Sequence, residues 1–144
     1  MDLSGFNITI VGLGLIGGSF AKALRKLNPK HLWAIDKDLA TLKKAEEAKV
    51  IDFSGLETTY MLSESNLIIM ALYPEDTIKF IEKNMAHFRS GSIITDICGL
   101  KANISTRINE ILRSDLEFVG GHPMAGKELA GFANADESIF ENAN

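Results

Sequence analysis

Three glycines, Gly12, Gly14 and Gly17, stand in the order G-x-G-x-x-G, and the next carboxylate along the chain is Asp36. That spacing suits a strand that turns sharply into a helix and offers the helix amides to an anion. Gly12 allows the tight turn, Gly14 lets the backbone approach a diphosphate without a Cβ in the way, and Gly17 lets helix and strand pack closely. Leu15 and Ile16 open the helix, so their amides and the helix dipole are expected to hold the phosphates. Asp36 closes the following strand, where a carboxylate accepts hydrogen bonds from both ribose hydroxyls and repels a 2′-phosphate. The expected cofactor is therefore NAD rather than NADP, although Lys37 beside Asp36 is a cation that tolerates a phosphate. Asp36 has a second reading, as a cap for a helix beginning near Asp38.

The other residue with chemistry to offer is His122. It follows Gly120 and Gly121 and precedes Pro123 at the end of an apolar run, a place better suited to a general base than to a packed core histidine. Ligands of wound parallel sheets lie beyond the carboxyl ends of the strands. Three loops meet that requirement: Leu72, Tyr73 and Pro74; residues 97–101; and residues 121–128. Leu72, Tyr73 and Pro74 are expected to line the cofactor, with Tyr73 beside the nicotinamide. Lys101 is a candidate for a substrate carboxylate or a surface lysine of a first helical turn, and Lys127 and Glu128 line the mouth of the cleft. Cys98 reads better as a small buried side chain than as a reactive thiol.

These loops need strands and helices to carry them. Runs rich in β-branched and apolar residues at 6–11, 31–35, 67–72, 92–96 and 117–120 alternate with stretches of helical period. Residues 66–72 and 91–96 are nearly continuous in apolar residues, as central strands covered on both faces should be. Ile16, Phe20, Ala23, Leu24 and Leu27 form the apolar stripe of a first helix that Asn28-Pro29 stops. A second helix starts at Asp38 as N-cap and runs through Leu39, Leu42, Ala45 and Ala48. Pro74, Glu75 and Asp76 open another, carrying Ile78, Ile81 and Met85, and a further helix spans 102–113. The remainder, 122–144, reads as loop and short helix. The expected fold class is α/β: a Rossmann-type, doubly wound, mostly parallel sheet with helices on both faces.

Composition agrees. The 144 residues suffice for one domain, and 46% hydrophobic with 24% charged residues is the balance of a globular protein. With 15 Lys and Arg against 19 Asp and Glu, the net charge of −4 argues against a nucleic-acid partner. No stretch has the roughly 20 unbroken apolar residues of a membrane span. One cysteine excludes an intrachain disulfide, leaves no close metal-ligand pair and fits a cytoplasmic protein, so no metal is expected.

The stretch Gly120-Gly-His-Pro-Met-Ala-Gly-Lys-Glu128, followed by Gly131-Phe132 and Phe140-Glu-Asn-Ala143, resembles the prephenate dehydrogenase family, as do Gly12-Leu-Gly-Leu-Ile-Gly-Gly-Ser19 and Thr95-Asp96 with Lys101. The resemblance runs along essentially the whole chain. It implies NAD-dependent oxidative decarboxylation of prephenate to 4-hydroxyphenylpyruvate in tyrosine biosynthesis, with His122 bonded to the ring hydroxyl of the substrate. Many members carry a serine where this chain has Gly99. The family also has a C-terminal helical domain that supplies a substrate-binding arginine and a homodimer interface. Residues 1–144 are thus expected to be the dinucleotide-binding domain alone, poorly active or inactive by itself. Alternatives are an arogenate dehydrogenase, another dehydrogenase with a similar first domain such as a 3-hydroxyacid dehydrogenase or an imine reductase, and a noncatalytic NAD-binding module.

Overall fold

Strands β1 (Asn7–Val11), β2 (His31–Ile35), β3 (Leu67–Met70), β4 (Ile93–Asp96) and β5 (Glu117–Gly120) form one parallel sheet in the order β2-β1-β3-β4-β5 in a computed structural model that describes residues 1–97, 104–121 and 132–140. Helices α1 (Leu15–Arg25), α2 (Leu39–Glu47), α3 (Thr58–Glu64), α4 (Pro74–Lys83) and α5 (Ile104–Ile111) lie between the strands. Because successive side chains of a strand point to opposite faces, β1 sends Ile8 and Ile10 one way and Val11 the other. Ile8, Ile10, Leu32, Ala34 and Ile69 pack with Ala21 of α1 and Leu42 and Ala45 of α2. Val11, Ile68, Met70 and Ile94 pack with Leu62 of α3, Ile78 and Ile81 of α4, and Ile104 and Ile108 of α5. The sheet is doubly wound, as its apolar runs predict.

The helix boundaries follow local chemistry. Asn28 adopts φ 55, the left-handed conformation that ends a helix, immediately before Pro29. Asp38 caps α2, its carboxylate accepting the Ala40 amide at 3.1 Å and the Thr41 hydroxyl at 2.9 Å, and the Thr41 hydroxyl is the main cause that holds this carboxyl below its ordinary range. Several boundaries differ from the periodicity by one or two residues, as where α1 ends at Arg25 and α5 at Ile111, and two differences have a plain structural reason. Strand β3 ends at Met70 rather than at residue 72, because its neighbours end opposite it, at Val11 and Asp96. Helix α4 gives way at Lys83 to a 3-10 turn, Met85–His87, which takes Met85 out of it. Helix α3 has no counterpart in the sequence-based expectation. Its Leu62 is fully buried and plugs one end of the core. Leu62→Ala should therefore cost about 2–5 kcal/mol. A urea titration of the chain measures this, and an unchanged midpoint would contradict the packing described here.

Among the described residues no helix is long and apolar enough to cross a membrane.

Candidate functional site

The sheet changes direction between β1 and β3. The chain leaves β1 for β2 on one side, then returns to the other side for β3. The loops after these two strands diverge there and leave a crevice at their carboxyl ends, the place where wound sheets hold ligands. Gly12 sits in that gap with φ 99 and donates its amide to Ile35 O at 2.8 Å. A Cβ on Gly12 would meet Ala71 O at 2.6 Å and Leu72 Cδ2 at 3.0 Å, so the turn and the start of the β3–α4 loop are in direct contact. One on Gly17 would lie 2.0 Å from Gly12 O, which fixes α1 close against the turn.

Gly14 is different. It is the N-cap of α1 and makes no side-chain cap bond, and among the described residues nothing lies within 4 Å of where its Cβ would be. No acidic residue occupies the first turn of α1. The leading amides of a helix have no partner within it, so those of Leu15 and Ile16 are available as donors, with the positive end of the helix dipole behind them. Both side chains are half-buried, whereas Leu13 is buried and anchors the turn in the core. Among the described residues, no side chain fills the space where a Cβ on Gly14 would stand, which suits an anion.

Asp36 stands beside it. One carboxylate oxygen accepts the Leu13 amide at 2.8 Å, and the other accepts the Asp38 amide at 2.8 Å. The carboxylate thus ties the glycine turn to the end of β2, a function absent from its motif role. It does not itself cap α2. A carboxylate has about four acceptor positions, so two backbone donors leave room for two hydroxyl donors.

On the opposite wall, Leu72 is half-buried against Gly12 and Pro74 opens α4, with Glu75 and Asp76 behind it. Tyr73, the N-cap of α4, is 82% exposed. The expected residues Gly12, Gly14, Leu15, Ile16, Gly17, Asp36, Leu72, Tyr73 and Pro74 therefore border one crevice. Cys98, Gly99, Lys101, His122, Lys127 and Glu128 lie outside the described residues.

Two further features were not among the expected site residues. Asp96, at the end of β4, is fully buried and accepts the Gly121 amide through Oδ1 at 3.3 Å. Residues 132–137 return to α1. Phe132 packs on Gly18 with Lys22 Nζ 5.3 Å from its ring centre, Ser19 Oγ accepts the Asp136 amide at 2.9 Å, and Lys26 pairs with Glu137 at 2.8 Å.

Comparison with known proteins gives a consistent result. Residues 20–144 match the family model described as prephenate dehydrogenase, nucleotide-binding domain. A prephenate dehydrogenase of Bacillus subtilis (strain 168) is 37% identical over 139 residues, which are 94% of this chain and 37% of that protein. The chain thus spans little more than a third of that relative. Among solved structures, the arogenate dehydrogenase of Synechocystis is similar at 31% identity and TM-score 0.85, over 94% of this chain and 47% of that one. The prephenate dehydrogenase of A. aeolicus in complex with hydroxyphenyl propionate and NAD+ is similar at 25% identity and TM-score 0.84, over 99% and 49%.

Proposed function

The chain belongs to the prephenate dehydrogenase family, matching its nucleotide-binding domain, and on that premise we propose that it binds NAD for the oxidative decarboxylation of prephenate to 4-hydroxyphenylpyruvate. The observation that carries this reading is the open, uncapped start of α1 at Gly14 beside the Asp36 carboxylate, at the point where the sheet changes direction. Leu15 and Ile16 amides hold the diphosphate, the free acceptor positions of Asp36 take the ribose hydroxyls, and Leu72, Tyr73 and Pro74 form the wall toward the reactive ring.

Bound NAD supplies the hydride acceptor. His122 takes up the proton of the substrate's ring hydroxyl, so that the alcohol oxygen becomes a carbonyl oxygen as its carbon gives up hydride. The ring carboxylate then leaves as carbon dioxide, its bonding pair enters the ring and displaces the carbonyl pair onto oxygen, which takes back the proton from His122, and aromaticity drives the step. Lys101 and Lys127 are candidates for the substrate's carboxylates. In this reading a second, C-terminal domain of the full-length protein completes the substrate site and joins two copies into a homodimer, and the reaction takes place in the cytoplasm. Residues 1–144 alone are then poorly active or inactive. Similarity to the Synechocystis enzyme favours one second reading, with arogenate as substrate; parallel assays of the full-length protein with both acids separate the two.

Calorimetric titration of the chain with NAD and NADP tests the cofactor assignment. NAD is expected to bind more tightly, and Asp36→Ala to weaken NAD at least about tenfold, since hydrogen bonds to a charged group each contribute about 1.5–3 kcal/mol. The same variant gains little for NADP, because it also releases the Leu13 amide and loosens the turn. Preference for NAD that persists in Asp36→Ala would refute the assignment.

A further inference from the structure

Helix α1 offers its first turn to the cofactor, and a distant part of the chain holds its outer side. Residues 132–137 reach Gly18, Ser19, Lys22 and Lys26, positions spaced so that they share one face of the helix. A Cβ on Gly18 would stand 2.7 Å from Phe132 Cδ2 and 2.8 Å from the Ala135 Cβ, so the segment sits closer there than a larger residue would permit. The Lys22 ammonium donates to the Ala135 carbonyl and lies 5.3 Å from the centre of the Phe132 ring.

Ser19 connects this contact to the first turn. It is fully buried, and its hydroxyl oxygen both accepts the Asp136 amide at 2.9 Å and donates its hydrogen to the Leu15 carbonyl at 2.7 Å. The Leu15 carbonyl and the Ile16 amide are the two ends of one planar peptide unit. A bond that fixes the carbonyl therefore fixes the N–H as well, and that N–H is one of the two donors assigned to the diphosphate. Hydrogen bonds in series polarise one another, so the Asp136 amide strengthens the bond from Ser19 to Leu15.

We propose that Ser19 is a positioning residue for the diphosphate site: docking of residues 132–137 orients the Leu15–Ile16 peptide through the Ser19 hydroxyl, and cofactor binding and this docking reinforce each other. The inference rests on the first turn of α1 being the diphosphate site. Ser19 acts only through the peptide that follows Leu15.

The test uses residues 1–144, with calorimetric titration of NAD and hydrogen exchange of single amides followed by NMR. Ser19→Ala removes both bonds and leaves the Ile16 amide in place. It should weaken NAD binding about threefold to tenfold, the range of one or two neutral hydrogen bonds. Gly18→Ala pushes against Phe132 and Ala135 without touching Ser19 and should weaken NAD to a similar degree. Alanine suits a helix interior better than glycine, so this variant keeps the proposal open to refutation if Ser19→Ala fails to fold. Coupling between two events is reciprocal. Saturating NAD should therefore slow exchange of the Ala135 and Asp136 amides about threefold to tenfold more than that of the His87 amide, which is bonded in the 3-10 turn after α4. A merely structural role for Ser19 would give these three amides the same response to NAD, and that result overturns the proposal. Parental NAD affinity in Gly18→Ala overturns it too. If the parent chain binds no NAD, the assignment of the cofactor site fails and this inference with it; if the parent binds NAD and the variants match it, only the inference fails.

Discussion

Replacing His122 by Asn in the full-length protein is expected to lower kcat by about 10³-fold, within the 10²- to 10⁴-fold span of general base catalysis, and to leave NAD affinity unchanged. The carboxamide fills much the same volume and still forms a hydrogen bond to the substrate, but it cannot take up a proton. Substrate affinity should therefore move little while turnover collapses. Steady-state kinetics with prephenate, paired with NAD titration, measures both. A noncatalytic NAD-binding module would lose nothing through this change, so an unaltered variant together with an inactive parent would favour that alternative.

The second large effect belongs to Gly17. A methyl group there would stand 2.0 Å from Gly12 O and 3.0 Å from the Ala71 Cβ. Neither atom is the end of a flexible side chain, so α1 must lift from the turn. Overpacking of this kind costs about 3 kcal/mol, and for a domain of this size Gly17→Ala should lower Tm by about 10 °C. NAD binding should vanish with the shift of the helix start. Gly14→Ala provides the contrast. Its methyl group meets no atom of the described residues within 4 Å, so Tm should hold while NAD binding weakens, because the methyl enters the space the diphosphate needs. Thermal melts and titrations of the two variants decide the matter; equal Tm values would mean that the two glycines do not differ in the way their surroundings indicate.

The parts of this fold legible in the sequence are those written in local patterns. The continuous apolar runs around Ile68 and Ile94 identify central strands, because a strand covered on both faces has no polar side. Asn28-Pro29 and Asp38 mark helix ends because their backbone and side-chain preferences act within a few residues. Helix α3 escapes such a reading. Thr58–Glu64 spans only seven residues, and its buried side chains Met61 and Leu62 are adjacent rather than spaced along a stripe. The glycine turn and Asp36 are legible as a motif, yet the bond from Leu13 to the Asp36 carboxylate is not, since a backbone amide carries no residue signature. Asp96 is similar. Its neighbours in sequence place it at a strand end, but only the pairing of β4 with β5 brings it to Gly121, 25 residues away.

The return of residues 132–137 to α1 sets an order of events during synthesis. Phe132 covers Gly18, and the Asp136 amide reaches Ser19 across 117 positions of sequence. At about 5–20 residues per second on the ribosome, α1 waits roughly 5–21 s for this cover after it has been made. Through that interval the nascent chain exposes the outer side of α1 next to the turn that is to hold the dinucleotide. Helix α1 thus depends on a segment made later for its final packing, and a ribosome paused before residue 132 would display α1 without this cover.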